Sequence, residues 1–216
     1  RIYLRLLRVC LNSLPAVLAK EDAASGLPMR ETLENMFDYI RCFVMPDGGL
    51  PLLGHSYKRS ALPVLSRGAR VLDNPHYRYI ASGGTKGKRP PYYDTHLEDS
   101  PHFVMRNSWV DPDGTYLALK GTTRGRPGKD GFNIILYANG EVLTPDSGAY
   151  SYEQPWRGAF AQTRFHSTVT INGEDQTERT DAVVETWEEG PEASVFEGTL
   201  SPYSGVAHRR QAVFFR

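Results

Sequence analysis

Four residues scattered along the second half of the chain carry chemistry that would be useful in one place: Arg126, Asp146, Tyr150 and His166. A guanidinium is a fixed cation that cannot act as a base near neutral pH, a carboxylate accepts, and a phenol or imidazole has a pKa that its surroundings can tune. Asp146 and Tyr150 fall in a turn after one β-type run, His166 opens a later run, and Arg126 precedes the run that returns through Asn139-Gly140. A sandwich therefore brings all four to one edge, turned toward the helical segment, with Arg157 at the rim. A carboxylate buried beside an arginine and a histidine is costly unless the groups are paired, so such a cluster points to an anion or metal site. A plainer reading stands beside each. A lone histidine at a strand start commonly satisfies a backbone partner, TTRGRPGK reads equally as a solvated loop, and exposed arginines such as Arg157 and Arg164 are usually solvated charges. No pair of carboxylates has a spacing that points to glycoside hydrolysis.

The elements that must position these residues change character near residue 90. Ile2, Leu6, Val9, Leu14 and Leu18 keep helical spacing, divided at Pro15. A second helix begins near Pro28, with Leu33, Met36, Phe37, Ile40 and Val44 on one face, and Pro46-Asp47-Gly48-Gly49 ends it. A third helical stretch covers residues 62–80, with Gly68 and Pro75 inside it. The Gly-, Lys- and Pro-rich residues 83–91 read as an exposed linker. Short β-type runs follow at 103–109, 115–120, 132–138, 142–143, 168–171, 183–187, 193–196 and 211–215, the pattern of an antiparallel sandwich. Asn139-Gly140 is a type I′ hairpin signal, and Asp113-Gly114 and Asn172-Gly173 read as turns of the same kind. The expected fold is α+β, divided into 1–90 and 91–216.

Composition narrows the function classes. With 216 residues and 40% hydrophobic content the chain can bury a sizeable core. Lys+Arg and Asp+Glu both number 25, which gives no reason to expect nucleic acid or an anionic membrane as a partner. Twelve Tyr, nine Phe and three Trp suit both β-rich packing and stacking surfaces. Cys10 and Cys42 lie in apolar helical patterns and match no zinc motif. No apolar run reaches the ~20 residues of a bilayer span, and the start at Arg1 lacks signal-peptide regions, opening instead inside a helical pattern. A longer native protein is expected.

The runs FVMRNSW, DPDGTYLALKG, DGFNIILYANGEVLTPDSGAYSY and RFHSTVTINGEDQ, within residues 103–176 and about a third of the chain, resemble the sandwich domain of heparinase II/III-like polysaccharide lyases. Upstream, MPDGGLPLLG and SRGARVLDNPHYRYIASGG resemble the close of that family's α/α toroid. The resemblance implies the end of a toroid followed by an incomplete antiparallel β-sandwich. It also implies β-elimination at a uronic acid of a polysaccharide or oligosaccharide, in a secreted or periplasmic protein. In that reaction a neutralised carboxylate acidifies the C5 proton, a base removes it, and an acid protonates the leaving oxygen. By position, Tyr150 and His166 correspond to catalytic candidates and Asp146 with His166 to metal ligands, zinc being the natural ion for that pair. Tyr152, Trp156 and Arg157 correspond to substrate-facing positions, Arg157 and Arg164 are candidates for anion recognition, and Gln176 reads as a side chain that positions a loop or a sugar hydroxyl, or as a solvated turn residue. The chain departs from the family where relatives carry His-x-His: here the stretch is RPGKD, with Arg126 and Gly128 in those places. That removes a third metal ligand and leaves Arg126 as a possible partner for a carboxylate or sulfate. His55 has no assigned role, and His76, His96, His102 and His208 lack ligand spacing. A noncatalytic carbohydrate-binding relative is the alternative, and residues 1–216 alone are expected to be inactive.

Overall fold

The computed structural model describes residues 29–54, 56–97, 100–125, 128–151, 153 and 155–216. The first helical pattern, Cys10, His55, Arg126 and Tyr152 lie outside them.

Helix α1, Met29–Phe43, has Glu31 in its first turn and Arg41 in its last, both favourable for the helix dipole. Its buried face of Leu33, Phe37 and Ile40 packs with Leu65, Ala69, Tyr77 and Ile80. The single stretch expected at 62–80 is two helices: α2, Leu62–Val71, and α3, Pro75–Ala81. The break comes from Asp73 at φ 50 and from Asn74, whose side chain caps α3 by accepting from His76 N at 2.9 Å and Tyr77 N at 3.2 Å, with Pro75 opening the helix. Gly68 does not break α2. A Cβ there would stand 2.7 Å from the Phe37 ring, so the glycine is what lets the helices close on each other. Residues 83–91 are largely exposed, and Lys88 N donates to Pro75 O, folding the segment back on α3.

Two antiparallel sheets follow. The first has the order β1-β2-β3-β4-β5, from β1, Thr95–Leu97, β2, His102–Arg106, β3, Tyr116–Lys120, β4, Asn133–Ala138 and β5, Glu141–Val142. The second is β6, Val183–Glu189, β7, Ala193–Tyr203 and β8, Val206–Phe215. The register, with Val104 opposite Ala118 and Tyr116 opposite Tyr137, sends Phe103, Met105 and Leu119 toward Phe196, Leu200 and Phe214 of the second sheet. That is the sandwich core. The opposite face of the first sheet, through Val104, Tyr116, Ala118, Ile135 and Tyr137, covers Cys42, Phe43 and Met45 at the end of α1.

Asn139 and Gly140 take φ of 52° and 81°, as a type I′ hairpin requires, and Asn172-Gly173 does likewise. Asp113-Gly114 does not. Its turn is closed by Gly114 N donating to Asp111 O, inside a longer loop where the Asn107 and Ser108 side chains take backbone donors. The run at 168–171 is not a strand. After Ser167 O accepts from Ile134 N, the Thr168 hydroxyl turns to Gly131 O and Val169 and Thr170 face solvent. The β2 run ends at Arg106 rather than 109. Its guanidinium is fully buried, lies 3.9 Å from the Trp109 ring centre, and donates to the carbonyls of Cys42 and Val44. Burial pushes Arg106 down to about 10. It fastens the C-terminal end of α1 to the sheet.

Candidate functional site at the sandwich edge

The DSGAY turn leaves β5 and crosses to the helical side. Ala149 N donates to Ser56 O at 2.7 Å, and a Cβ on Gly148 would meet that same carbonyl at 2.5 Å. Ser56 belongs to the segment joining α1 and α2, whose Leu50 and Leu53 pack against the first sheet. The glycine at φ +56 is therefore what lets the turn dock. Tyr150 follows at φ 41, a left-handed conformation that a bulky residue rarely holds without support.

Tyr150 N donates to Ser147 O at 3.3 Å, and the turn that leads to it is braced by Asp146. Its Oδ1 accepts from Gly148 N at 2.7 Å, and its Oδ2 accepts from Asn133 Nδ2 at 2.6 Å and His166 Nδ1 at 2.7 Å. Asn133 in turn accepts from Ser167 N at 2.9 Å. Strand β4, the turn and the segment after the 3-10 turn Thr163–Phe165 are thus tied at one carboxylate. The side chains of Asp146 and His166 are 0% and 1% exposed, so the network is sealed from water. A carboxylate only accepts, which fixes Nδ1 as the proton-bearing nitrogen. His166 Nε2 is buried with no hydrogen-bond partner.

These donors do not fit a zinc ion. Both oxygens of Asp146 are already occupied by protein donors, Nδ1 faces the carboxylate, and Nε2 alone does not make a centre that needs several ligands. Among the described residues no group of three His, Cys, Asp or Glu is placed to hold a metal.

Outside the sealed network the site is aromatic. Helix α4, Trp156–Phe160, and the 3-10 turn that follows carry Trp156, Phe160 and Phe165 alongside Tyr150. Tyr150 is 61% exposed and Trp156 53%. Ser147 Oγ donates to Phe160 O at 3.1 Å, joining α4 to the turn. Arg164 is exposed, with its guanidinium 5.2 Å from the Phe165 ring centre, while Arg157 is partly buried in α4. Gln176 is buried and clasps both backbone groups of Gly131, at 2.7 and 3.2 Å, so it positions the loop before β4. His102 is pushed down to about 4 by burial and by Lys120, and its Nδ1 meets the Ser100 hydroxyl at 2.8 Å. His76 meets Lys88 O, remote from the turn in sequence and fold.

Asp146, His166 and Tyr150 thus share one small region, with His166 inside and Tyr150 outside. Asn133, Phe160 and Phe165 had not been singled out from sequence. For Asn133 a signal existed in DGFN, a polar residue at the head of an apolar run.

A family model for the heparinase II/III-like C-terminal domain matches residues 91–216. The chain belongs to that family. A heparin-sulfate lyase of Bacteroides stercoris is 31% identical over 151 residues, which are 66% of this chain and 22% of that protein. The crystal structure of a mutant heparan sulfate lyase from Pedobacter heparinus superposes with a TM-score of 0.87 at 25% identity, covering 99% of this chain and 35% of that one. Another structure of heparan sulfate lyase from Pedobacter heparinus gives 0.83 at 26% identity, covering 97% and 34%. The fold is therefore the family's antiparallel sandwich preceded by helices, and the chain spans only about a fifth to a third of the relatives it matches. Among the described residues no helix is long and apolar enough to cross a membrane.

Proposed function

We propose that the chain is the sandwich-side half of a polysaccharide lyase that cleaves a uronic-acid-containing polysaccharide or oligosaccharide by β-elimination. The observation that carries this reading is the turn 146–150. A buried three-residue network braces the turn that leads to Tyr150, which is left-handed and exposed next to Ala149, whose N–H donates to Ser56 O of the segment joining the helices. An exposed phenol held in this way can donate a proton to a leaving glycosidic oxygen or take one from C5, while Arg126, Arg157 and Arg164 are the cations proposed for the uronate or sulfate groups. His166 acts through Asp146 rather than on substrate, because its ring is sealed. No step is routed through a metal. The division at residue 90, with the helices closing an α/α toroid, and a secreted or periplasmic location belong to the same proposal and rest on the family relationship.

A noncatalytic sugar-binding relative is the second reading. It is favoured by Arg126 standing where relatives carry histidine, and by the burial of His166, which removes imidazole from the surface of this turn. Ultraviolet absorbance of unsaturated uronate, followed for the full-length protein on heparan sulfate, heparin, chondroitin, hyaluronan and alginate, separates the two. Product from at least one polymer is expected from the full-length protein and none from residues 1–216 alone. Binding without product on every polymer would favour the second reading, and turnover by the isolated 216 residues would contradict the half-cleft assignment.

A further inference from the structure

The chain carries the same dipeptide twice in the same kind of turn. Asn139-Gly140 and Asn172-Gly173 adopt positive φ at both positions, 52° and 81° against 52° and 74°, and all four residues are exposed. A Cβ on either glycine would meet nothing within 4 Å, so both amide nitrogens stand in open space. What differs is the hold on each turn. Asn139-Gly140 closes a ladder in which Tyr137 pairs with Val142 and Ala138 with Glu141, and Gly140 N itself donates to Pro112 O at 3.0 Å. Asn172-Gly173 is closed by an isolated bridge, in which Glu174 N donates to Ile171 O at 2.9 Å. Among the described residues Gly173 N meets no acceptor. Val169 and Thr170 before it face solvent, and the segment is anchored from outside by the Tyr203 hydroxyl, 3.3 Å from Val169 O and 3.1 Å from Glu174 O.

We infer that Asn172 is a site of spontaneous deamidation and that the fold protects Asn139 from the same reaction. The Gly173 nitrogen, its proton removed by base, attacks Asn172 Cγ and closes a cyclic imide, while the side-chain nitrogen takes up a proton and leaves as ammonia. Water then opens the imide at either carbonyl, which leaves aspartate or isoaspartate. Glycine matters here because it has no Cβ to shield the attacking nitrogen. In a type I′ turn the asparagine side chain and the following nitrogen point apart, so ring closure waits on local opening of the turn. Opening is easier where an isolated bridge holds the turn than where two ladder pairs and a bonded glycine nitrogen do. The product adds a negative charge beside Glu174 and Asp175. Isoaspartate also lengthens the backbone by a methylene, which removes the register of the bridge between Ile171 and Glu174.

The test is ageing of the full-length protein at mildly alkaline pH, with peptide mapping by mass spectrometry to follow each asparagine and isoaspartyl methyltransferase to label the product. Conversion at Asn172 should run at least about tenfold faster than at Asn139, and should quicken with pH because the deprotonated nitrogen is the nucleophile. Tyr203→Phe removes only the hydroxyl that anchors the segment, and should raise the Asn172 rate roughly threefold or more while leaving Asn139 unmoved. Asn172→Gln should abolish the label at this turn, since glutamine must close a larger ring. In short synthetic peptides spanning each turn, where no fold acts, the two asparagines should convert at similar rates. Equal rates in the folded protein would overturn the inference. So would an Asn172 that stays intact because another part of the full-length protein covers the turn, or a Tyr203→Phe variant that converts at the wild-type rate.

Discussion

The Asn133–Asp146–His166 network and the Tyr150–Trp156–Phe160–Phe165 strip hang from the same turn and meet opposite demands. The first is polar and sealed, and its carboxylate is saturated by protein donors. The second is apolar and open to water. With three protein donors in place the carboxylate has little left to offer a ligand and is valuable as a fastening, while His166 Nε2 in the same network stays buried without a partner. An exposed aromatic face has surface to spare and is valuable as a contact. The difference suits one region to holding shape and leaves the other free to make contacts, although both contain residues whose types alone would suggest chemistry.

The largest effect should come from cutting the fastening at its centre. Asp146→Ala leaves Gly148 N, Asn133 Nδ2 and His166 Nδ1 buried without their acceptor, and should cost about 3–5 kcal/mol in chemical denaturation of the full-length protein. A loss below about 1 kcal/mol would show that water reaches this carboxylate and that the network is not sealed. His166→Ala removes one of the three donors and should cost about 2 kcal/mol, with the double variant less than additive because the two side chains share one bond.

The strip should behave otherwise. Trp156→Ala and Phe165→Ala are expected to change stability by no more than about 0.5 kcal/mol while weakening oligosaccharide binding, since neither ring fills the core. If either variant melted as early as Asp146→Ala, the division between fastening and contact would collapse. The smallest expected effect is that of a chelator. Dialysis against one should leave the melting temperature unmoved and metal analysis should find no stoichiometric zinc, because the donors at Asp146 are already taken. Zinc that survives dialysis would contradict the donor geometry.

Much of the scaffold was legible in the sequence because the signals were local. The apolar run NIILYA became β4, with burial alternating along it, and Asn139-Gly140 became the hairpin, since positive φ at both positions is a property of those two residues. Runs decided by their neighbours were read less well. Residues 168–171 have strand-like composition, yet Thr168 spends its hydroxyl on Gly131 O and the segment has no covered face. β1 is three residues long, with a threonine and a histidine, and exists because β2 pairs with it. In the site, Asp146, Tyr150 and His166 are marked by the resemblance of DSGAY and RFHST to the family's motifs. The carboxylate's saturation is not, because it depends on Asn133, which arrives from another strand. Phe160 and Phe165 sit on a five-residue helix and a 3-10 turn, too short for any period to mark their shared face.

In the proposed function the sealed network serves to present Tyr150 to a reacting uronate. Single-turnover elimination by full-length Tyr150→Phe, on the polymer that gives product with the wild type, tests it most directly. The variant keeps the ring and its place in the strip and loses only the hydroxyl. Product formation should slow by about a hundredfold or more, with oligosaccharide affinity and melting close to wild type. Elimination at the wild-type rate would contradict it.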